Sequence, residues 1–449
     1  MAVGRWTRSE EMASTKEEPH RQPWVSRWLP AAGWRQYGLF LTVVSVTSLA
    51  SAALLAFASM THHEAHLHGF DNEGGKGAAE EGQDESMAVI RKAFEESSMD
   101  QQDAPMKPSA SSSVNLLCRF SVRYRLGIYP YGVCTHFIYA SVPNRARLDD
   151  EDVLYSYDKE AFRKFLHVRE LAPEARLLFS VELAAMLDTG WPAQRLASDA
   201  RAWLGRGGVD GLHLAGLDLL PRNMPNITGI VTALRKSFKR QYLLSIGIDR
   251  SQRAVEKDLL KILKLVNFAS FKTCHLRHTD DYTTLTNPYS KYDNSTAGEF
   301  LGNEVDKLAK LAARTPRSRL CFTLDLGGNQ FLLQDAEHHG LGAPAKHIRD
   351  ASYAEICRRK WTDVRYVESA MSFYARSGRT WIGYETEKTV AEKVQLALRR
   401  HPKFCVMLVQ VDKDDLRGIC SEKHFPLAQS VRHAMRLYGR RKMRGPETS

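Results

Sequence analysis

The stretch Val209-Asp-Gly-Leu-His-Leu-Ala-Gly-Leu217 decides the fold. Apolar residues dominate it, Asp210-Gly211 opens it, and a basic run at 196–206 with helical character precedes it. A short apolar run that follows a helix and opens on a turn signal is the local pattern of a strand in a β/α repeat. At a strand period of two, His213, Ala215 and Leu217 share one face, and in a closed barrel that face is the lumen.

Working outward, the same alternation recurs. Further strands are predicted at 116–121, 134–140, 176–181, 242–247, 265–273, 319–326 and 404–411, with helices at 159–170, 227–240, 254–264, 297–313 and 389–401 among those between them. Strand-helix alternation repeated about eight times predicts an α/β fold, a (β/α)8 barrel, over residues 114–440. The interval from 327 to 384 is too long for a barrel loop, so an α+β insertion is expected at about 330–384, after strand seven. Residues 441–449 read as a disordered tail, and the repeat shows no sequence self-similarity.

The first 113 residues have a different composition. Residues 1–37 lack apolar periodicity and read as a disordered cytoplasmic tail. Residues 38–59 then run without a charge, long enough for one transmembrane helix. Arg27 and Arg35 precede this run while acids and histidines follow it, which orients a single-pass type II protein with its bulk outside the cell. Ala56-Phe-Ala58 would also suit a signal peptidase, so secretion after cleavage is the alternative to the signal anchor. Residues 60–113, with 4 Lys/Arg against 11 Asp/Glu, read as a disordered acidic stalk. His62, His63, His66 and His68 lie there without cysteine or scaffold, so a weakly binding, pH-sensitive tract is expected rather than a metal site.

The net charge of +11 is carried by the folded part, where residues 114–449 hold 53 Lys/Arg against 37 Asp/Glu. That charge is diffuse, with no arginine block or aromatic-interleaved platform, which argues against nucleic-acid binding. All seven cysteines follow residue 117, in keeping with an oxidising compartment. Asn226-Ile-Thr and Asn294-Ser-Thr are acceptor sequons in expected loops.

The quoted strand resembles the signature of glycoside hydrolase family 18, D-G-x-D-x-D-x-E. Asp210 and Gly211 match its first two positions, and His213, Ala215 and Leu217 stand at the three acidic ones. The resemblance extends along the chain. Cys118-Arg-Phe-Ser121 with Tyr124-Arg125, then Cys134-Thr-His-Phe-Ile-Tyr-Ala140, looks like the first barrel strand and its return. Gly342-Ala-Pro344 and Tyr353-Ala-Glu-Ile-Cys357 look like parts of the family's insertion, and Trp381-Ile-Gly-Tyr384 and Asp412-Lys-Asp-Asp-Leu-Arg-Gly418 like its last barrel segments. The resemblance implies disulfides Cys118 to Cys134 and Cys357 to Cys420, leaving Cys274, Cys321 and Cys405 as buried thiols in strands.

The family's hydrolysis is substrate-assisted: a glutamic acid protonates the glycosidic oxygen while the substrate's acetamido group attacks. Leu217 has no proton to give. By the same resemblance Lys272-Thr-Cys274-His275 replaces Met-Thr-Tyr-Asp on strand six, Gly327-Gly-Asn329 replaces Tyr-Gly-Arg on strand seven, and Met407-Leu-Val409 replaces the tryptophan floor on strand eight. The expectation is a pseudoenzyme similar to insect imaginal disc growth factors and other chitinase-like proteins, binding chitin or another GlcNAc-containing glycan. The alternatives are a module for a cell-surface protein partner and an active glycosidase with a rebuilt site. His213 with Asp218 or His275 is the acid/base pair that such a rebuilt site would use. A zinc site on His213 and His275 lacks a third ligand, so neither metal nor cofactor is expected. Trp191, Trp381, Tyr124 and Tyr282 are the aromatics weighed for sugar stacking. Asp210-Gly211 is assigned to the backbone turn and strand packing.

Overall fold

The computed structural model describes residues 115–443 apart from 123, 142–156, 189, 191, 252–254, 277–279, 293–299 and 316–318. The tail, anchor and stalk, Trp191 and Asn294 lie outside the described residues. Among those described, no helix is long and apolar enough to cross a membrane.

Seven strands follow one another before the insertion: β1 (Leu116–Arg119), β2 (His136–Ala140), β3 (Arg176–Glu182), β4 (Gly211–Leu219), β5 (Leu243–Ser251), β6 (Phe268–Phe271) and β7 (Arg319–Asp325). The chain then forms β8 (Gly328–Leu333), β9 (Ala345–Ala351), β10 (Asp363–Val367), β11 (Ser372–Ser377) and β12 (Thr380–Tyr384), and returns as β13 (Cys405–Val409). The barrel closes in the order β1-β13-β7-β6-β5-β4-β3-β2, all neighbours parallel. Strands β8 to β12 make a separate antiparallel sheet, β10-β11-β12-β8-β9. Two sequence assignments change accordingly. The segment at 136–140 is a parallel barrel strand rather than a return, and Trp381–Tyr384 belongs to the inserted sheet rather than to the end of the barrel.

Local chemistry sets the elements. Helix α1 (Lys159–Leu166) starts where the Asp158 carboxylate accepts the Ala161 N–H at 2.9 Å. Helix α2 (Ala193–Gly207) stops at Gly208, whose φ of 67° is left-handed. Helix α3 (Glu387–Arg400) opens on a reciprocal pair of bonds between Thr386 and Thr389.

Asp210 ties the base of β4 to its neighbours. It accepts the Leu177 N–H at 2.8 Å and pairs with Arg169 at 3.0 Å and Arg176 at 3.4 Å. Gly211 follows because a Cβ there would stand 2.3 Å from the Leu243 carbonyl oxygen of β5. The pair is structural, as its turn-forming character implies.

Strand period divides the core into two. Outward residues such as Leu212 and Leu214 pack under the helices, while Leu117, Ile138, Leu178, Phe268, Cys321, Cys405 and Met407 fill the lower lumen. Cys321 and Cys405 are bonded, which corrects their reading as free thiols. They are 84 residues apart, but closure sets them in register on the lumen side of β7 and β13. Cys118–Cys134 and Cys357–Cys420 are the other two bridges, and Cys274 is a free buried thiol.

The insertion is joined to α3 by a buried ion pair. Lys393 Nζ lies 2.6 Å from both Glu385 oxygens, and Ser372 and Thr389 hydroxyls donate to the same carboxylate at 2.9 and 2.6 Å. Removing one charge strands the other in an apolar setting. Lys393→Met should cost about 3–5 kcal/mol in denaturant unfolding, and joint replacement of both residues by apolar ones should recover most of the loss. Gly211→Ala should cost at least ~1–3 kcal/mol through its clash with β5.

Candidate functional site: a charged cavity at the C-terminal ends of the barrel strands

The upper lumen opens as a cavity of about 680 Å³. Most of its walls come from residues at or just past the C-terminal ends of the strands, where barrel sites form. Arg119 ends β1, Glu182 ends β3, Asp249 lies near the end of β5, Lys272, Cys274 and His275 follow β6, Asp325 ends β7 and Val409 ends β13. Arg349, Asp350, Gln410 and Lys413 complete the rim.

Strand β4 contributes His213, Ala215 and Gly216 to the cavity, not Leu217. Its register against β5 runs Leu214 to Ile246 and then Leu217 to Ile248, so Ala215 and Gly216 together oppose Gly247. This is a β-bulge at Gly216, whose φ of 69° suits glycine. The extra residue reverses the alternation, and Leu217 turns outward, fully buried in the core beneath the helices. The expectation that Leu217 faces the lumen is therefore corrected. A period of two, counted through a bulge, gives the wrong face. Asp218 is exposed beyond the bulge and does not line the cavity.

His213 is buried, with its Nδ1 3.0 Å from the Ser245 hydroxyl. Gly247 makes room for the ring, since a Cβ there would come 3.0 Å from His213 Nε2. Burial first, and then the Arg119 charge, press its pKa down to about 3. The ring is neutral at physiological pH. It does not meet His275 in an acid/base pair.

His275 instead pairs with Asp325, Nε2 to Oδ2 at 3.0 Å, deep in the wall. Its φ of 49° is left-handed, and its N–H donates to the Thr286 carbonyl at 3.0 Å. Burial opposes the charged ring, but the field and hydrogen bond of Asp325 outweigh it and raise the His275 pKa. Asp325 also accepts the Gly327 N–H at 2.7 Å. Cys274 Sγ lies 3.3 Å from the Thr323 hydroxyl, and burial pushes its thiol up to about 12. Cys274, His275 and Asp325 each offer a ligand atom, all within 4.8 Å of one another, a donor set of the kind that binds zinc. Of the pair weighed from the sequence only His275 belongs to this group, and Cys274 and Asp325 take the place of His213 and of the third donor.

The weighed aromatics lie elsewhere. Trp381 is fully buried in the inserted sheet, between Phe331 and Tyr374. Tyr124 packs on Phe120 and Tyr129, with its hydroxyl bonded to the Ile128 backbone. Tyr282 is exposed and bridges to Pro344. None of these three lines the cavity, where Phe120 is the single Phe, Tyr or Trp among the described residues. Asn329 is buried in β8 and Gly327 sits in the turn after β7, both behind the wall, while Met407 and Val409 do line it. Asn226 is exposed on a helix, Met224–Phe238, rather than in a loop. Sequence reasoning missed Arg119, Glu182, Asp249, Asp325 and Asp350. The available signal was a charged residue closing an apolar strand, as in Leu-Leu-Cys-Arg119 and Thr-Leu-Asp325.

A proton titration of the imidazoles by NMR tests this electrostatic account. His275 should titrate above the ordinary ~6.5, and Asp325→Asn should bring it below that value. The stability contributed by the charged ring is present below about pH 6.5 and lost as the pH rises through the raised folded-state value. His213 should show no protonation above about pH 4.

Residues 116–414 match the sequence profile of the glycosyl hydrolases family 18. Mouse oviduct-specific glycoprotein (Mus musculus) is 25% identical over 72% of this chain and 50% of its own length. Human chitinase-3-like protein 2 (Homo sapiens) is 22% identical over 68% of this chain and 85% of its own. The chain thus spans about half the length of the first of these relatives. Among solved structures, the Group IV chitinase of Ostrinia furnacalis in complex with allosamidin superposes with a TM-score of 0.62, at 18% identity, over 73% of this chain and all of that one. The profile match extends over most of the barrel and its insertion, and the chain belongs to glycosyl hydrolases family 18.

Proposed function

We propose that this protein is a non-catalytic, chitinase-like member of the family whose lumen binds a GlcNAc-type glycan without cleaving it. The observation that carries this reading is the lumen face of β4, which presents His213, Ala215 and Gly216 around an open cavity and no carboxyl group. Substrate-assisted hydrolysis needs a proton donor within reach of the glycosidic oxygen and a second group to orient the acetamide. A neutral, buried His213 and a methyl group supply neither. The cavity nevertheless keeps its volume and a polar wall, which favours binding over collapse. The relatives' names, a chitinase-like protein and a chitinase bound to allosamidin, support a GlcNAc-type ligand.

The near absence of aromatic surface favours a second reading, a module for a cell-surface protein partner, because sugar rings gain much of their affinity by stacking. We place the barrel outside the cell, tethered through residues 38–59. Three disulfides support an oxidising compartment.

The full chain should show saturable binding of chito-oligosaccharides in calorimetry and no release of reducing ends above a heat-inactivated control. Turnover would overturn the pseudoenzyme reading, and silence across a glycan panel would favour the protein partner. Leu217→Glu should restore no hydrolysis. The new carboxylate would enter the core beneath the helices and lower stability by several kcal/mol.

A further inference from the structure

We propose that the lumen is built for an anionic sugar, an N-acetylated amino sugar bearing a sulfate or carboxylate, with Arg119 as the counter-charge. The inference rests on the glycan-binding reading for its sugar and on the cavity for its charge. Arg119 ends β1 and lines the cavity, and its Nε is buried with no hydrogen-bond acceptor among the described residues. Guanidinium keeps its proton in proteins, so this is a standing positive charge on a half-buried side chain. Such charges are normally matched.

The described surroundings compensate it through space and not by a hydrogen bond to its Nε. Glu182, Asp249 and Asp325 favour the Arg119 charge through their fields, but the Arg119 Nε donates to none of them. Asp325 is engaged by His275 and the Gly327 N–H, and Asp350 accepts from Gln410 at 2.8 Å. His213 stands close enough to feel the Arg119 charge and is neutral, so it offers a hydrogen bond and no compensation. Ala215 and Gly216 leave space on the neighbouring wall, and a Cβ on Gly216 would meet nothing within 4 Å. Lys272, Arg349 and Lys413 add positive charge to the lining, against the carboxylates of Glu182, Asp249, Asp325 and Asp350. A neutral hydroxyl in that space would leave the guanidinium unmatched. An oxyanion would accept its N–H donors in a charge-assisted fork.

Calorimetry on the full chain would compare a neutral chito-oligosaccharide, its sulfated counterpart, N-acetylmuramic acid (which carries a carboxylate on the same sugar) and inorganic sulfate. At least one anionic sugar should bind roughly tenfold or more tighter than the neutral one. Which of the two is preferred identifies the source of the charge. Arg119→Gln should remove the preference, so that anionic and neutral sugars bind with equal affinity, and Arg119→Lys should retain part of it. Because Arg119 lacks a partner, Arg119→Gln should melt at or above the wild-type temperature. A lower melting temperature would assign Arg119 a structural pairing and overturn the proposal. Equal binding of neutral and anionic sugars would overturn the charge preference and leave the glycan reading standing. Arg119-dependent binding of sulfate alone would support the counter-charge and overturn the glycan reading. Binding of none of the four would overturn both.

Discussion

The structure depends on the docking of β13 between β7 and β1. That strand joins positions 406–408 to 116–118, so the lumen exists only once segments nearly 290 residues apart have met. Pairing of such separation is entropically costly and slow to form. What holds it is the apolar plug below the cavity, where Met407 and Cys405 of β13 pack with Leu117, Ile138, Leu178 and Phe268. The Cys321–Cys405 bridge lies within that plug and fixes β13 to β7 covalently. Above it β1, β3 and β7 end in the charged residues Arg119, Glu182 and Asp325, so the floor of the cavity and its chemistry are set by one closure event.

The β4 wall of the cavity carries no carboxylate, and its backbone geometry accounts for this as much as its residue types do. Loss of a carboxylate from a strand would leave a hydrolase one substitution from activity if the backbone were unchanged. Here Gly216 bulges the strand, and position 217 is committed to the outer core. The lumen wall is then a ring, a methyl group and bare backbone. Charge enters from the other strands, through Arg119 on one side and Asp325 with His275 on another. Near β4 the Arg119 charge is felt by His213, which is itself neutral, while Glu182 stands in register beside Ala215.

The barrel was legible because each repeat writes its period locally: apolar runs of four to nine residues, with capped helices between them. The insertion was legible by length alone. The register was not, because a bulge is one residue long and Gly216 looks like any small residue in a strand. Trp381 was misplaced for a related reason. Its surroundings read as a strand, but only tertiary pairing with β8 and β11 shows which sheet it joins. The Cys321–Cys405 bridge required knowledge of which strands become neighbours on closure. The charged lining was visible residue by residue, but its convergence comes from the ends of five separate barrel strands, β1, β3, β5, β6 and β7.

The insertion and the cavity wall form one hydrogen-bonded unit, which bears on how far the site can drift. Asn287 binds both backbone groups of Asp325, accepting its N–H at 3.0 Å and donating to its carbonyl at 2.8 Å. The same amide reaches Glu385, which is held by Lys393. Thr286, the residue before it, accepts the His275 N–H and donates to the Gly327 carbonyl. Asp325 and His275 are therefore held at their backbones by Thr286 and Asn287, from the stretch after β6, independent of their own side-chain pairing. A buried carboxylate and imidazole supported this way keep their geometry when neighbouring lumen residues change. A wall held in this way keeps the polar cavity open above an apolar plug that fills the rest of the lumen.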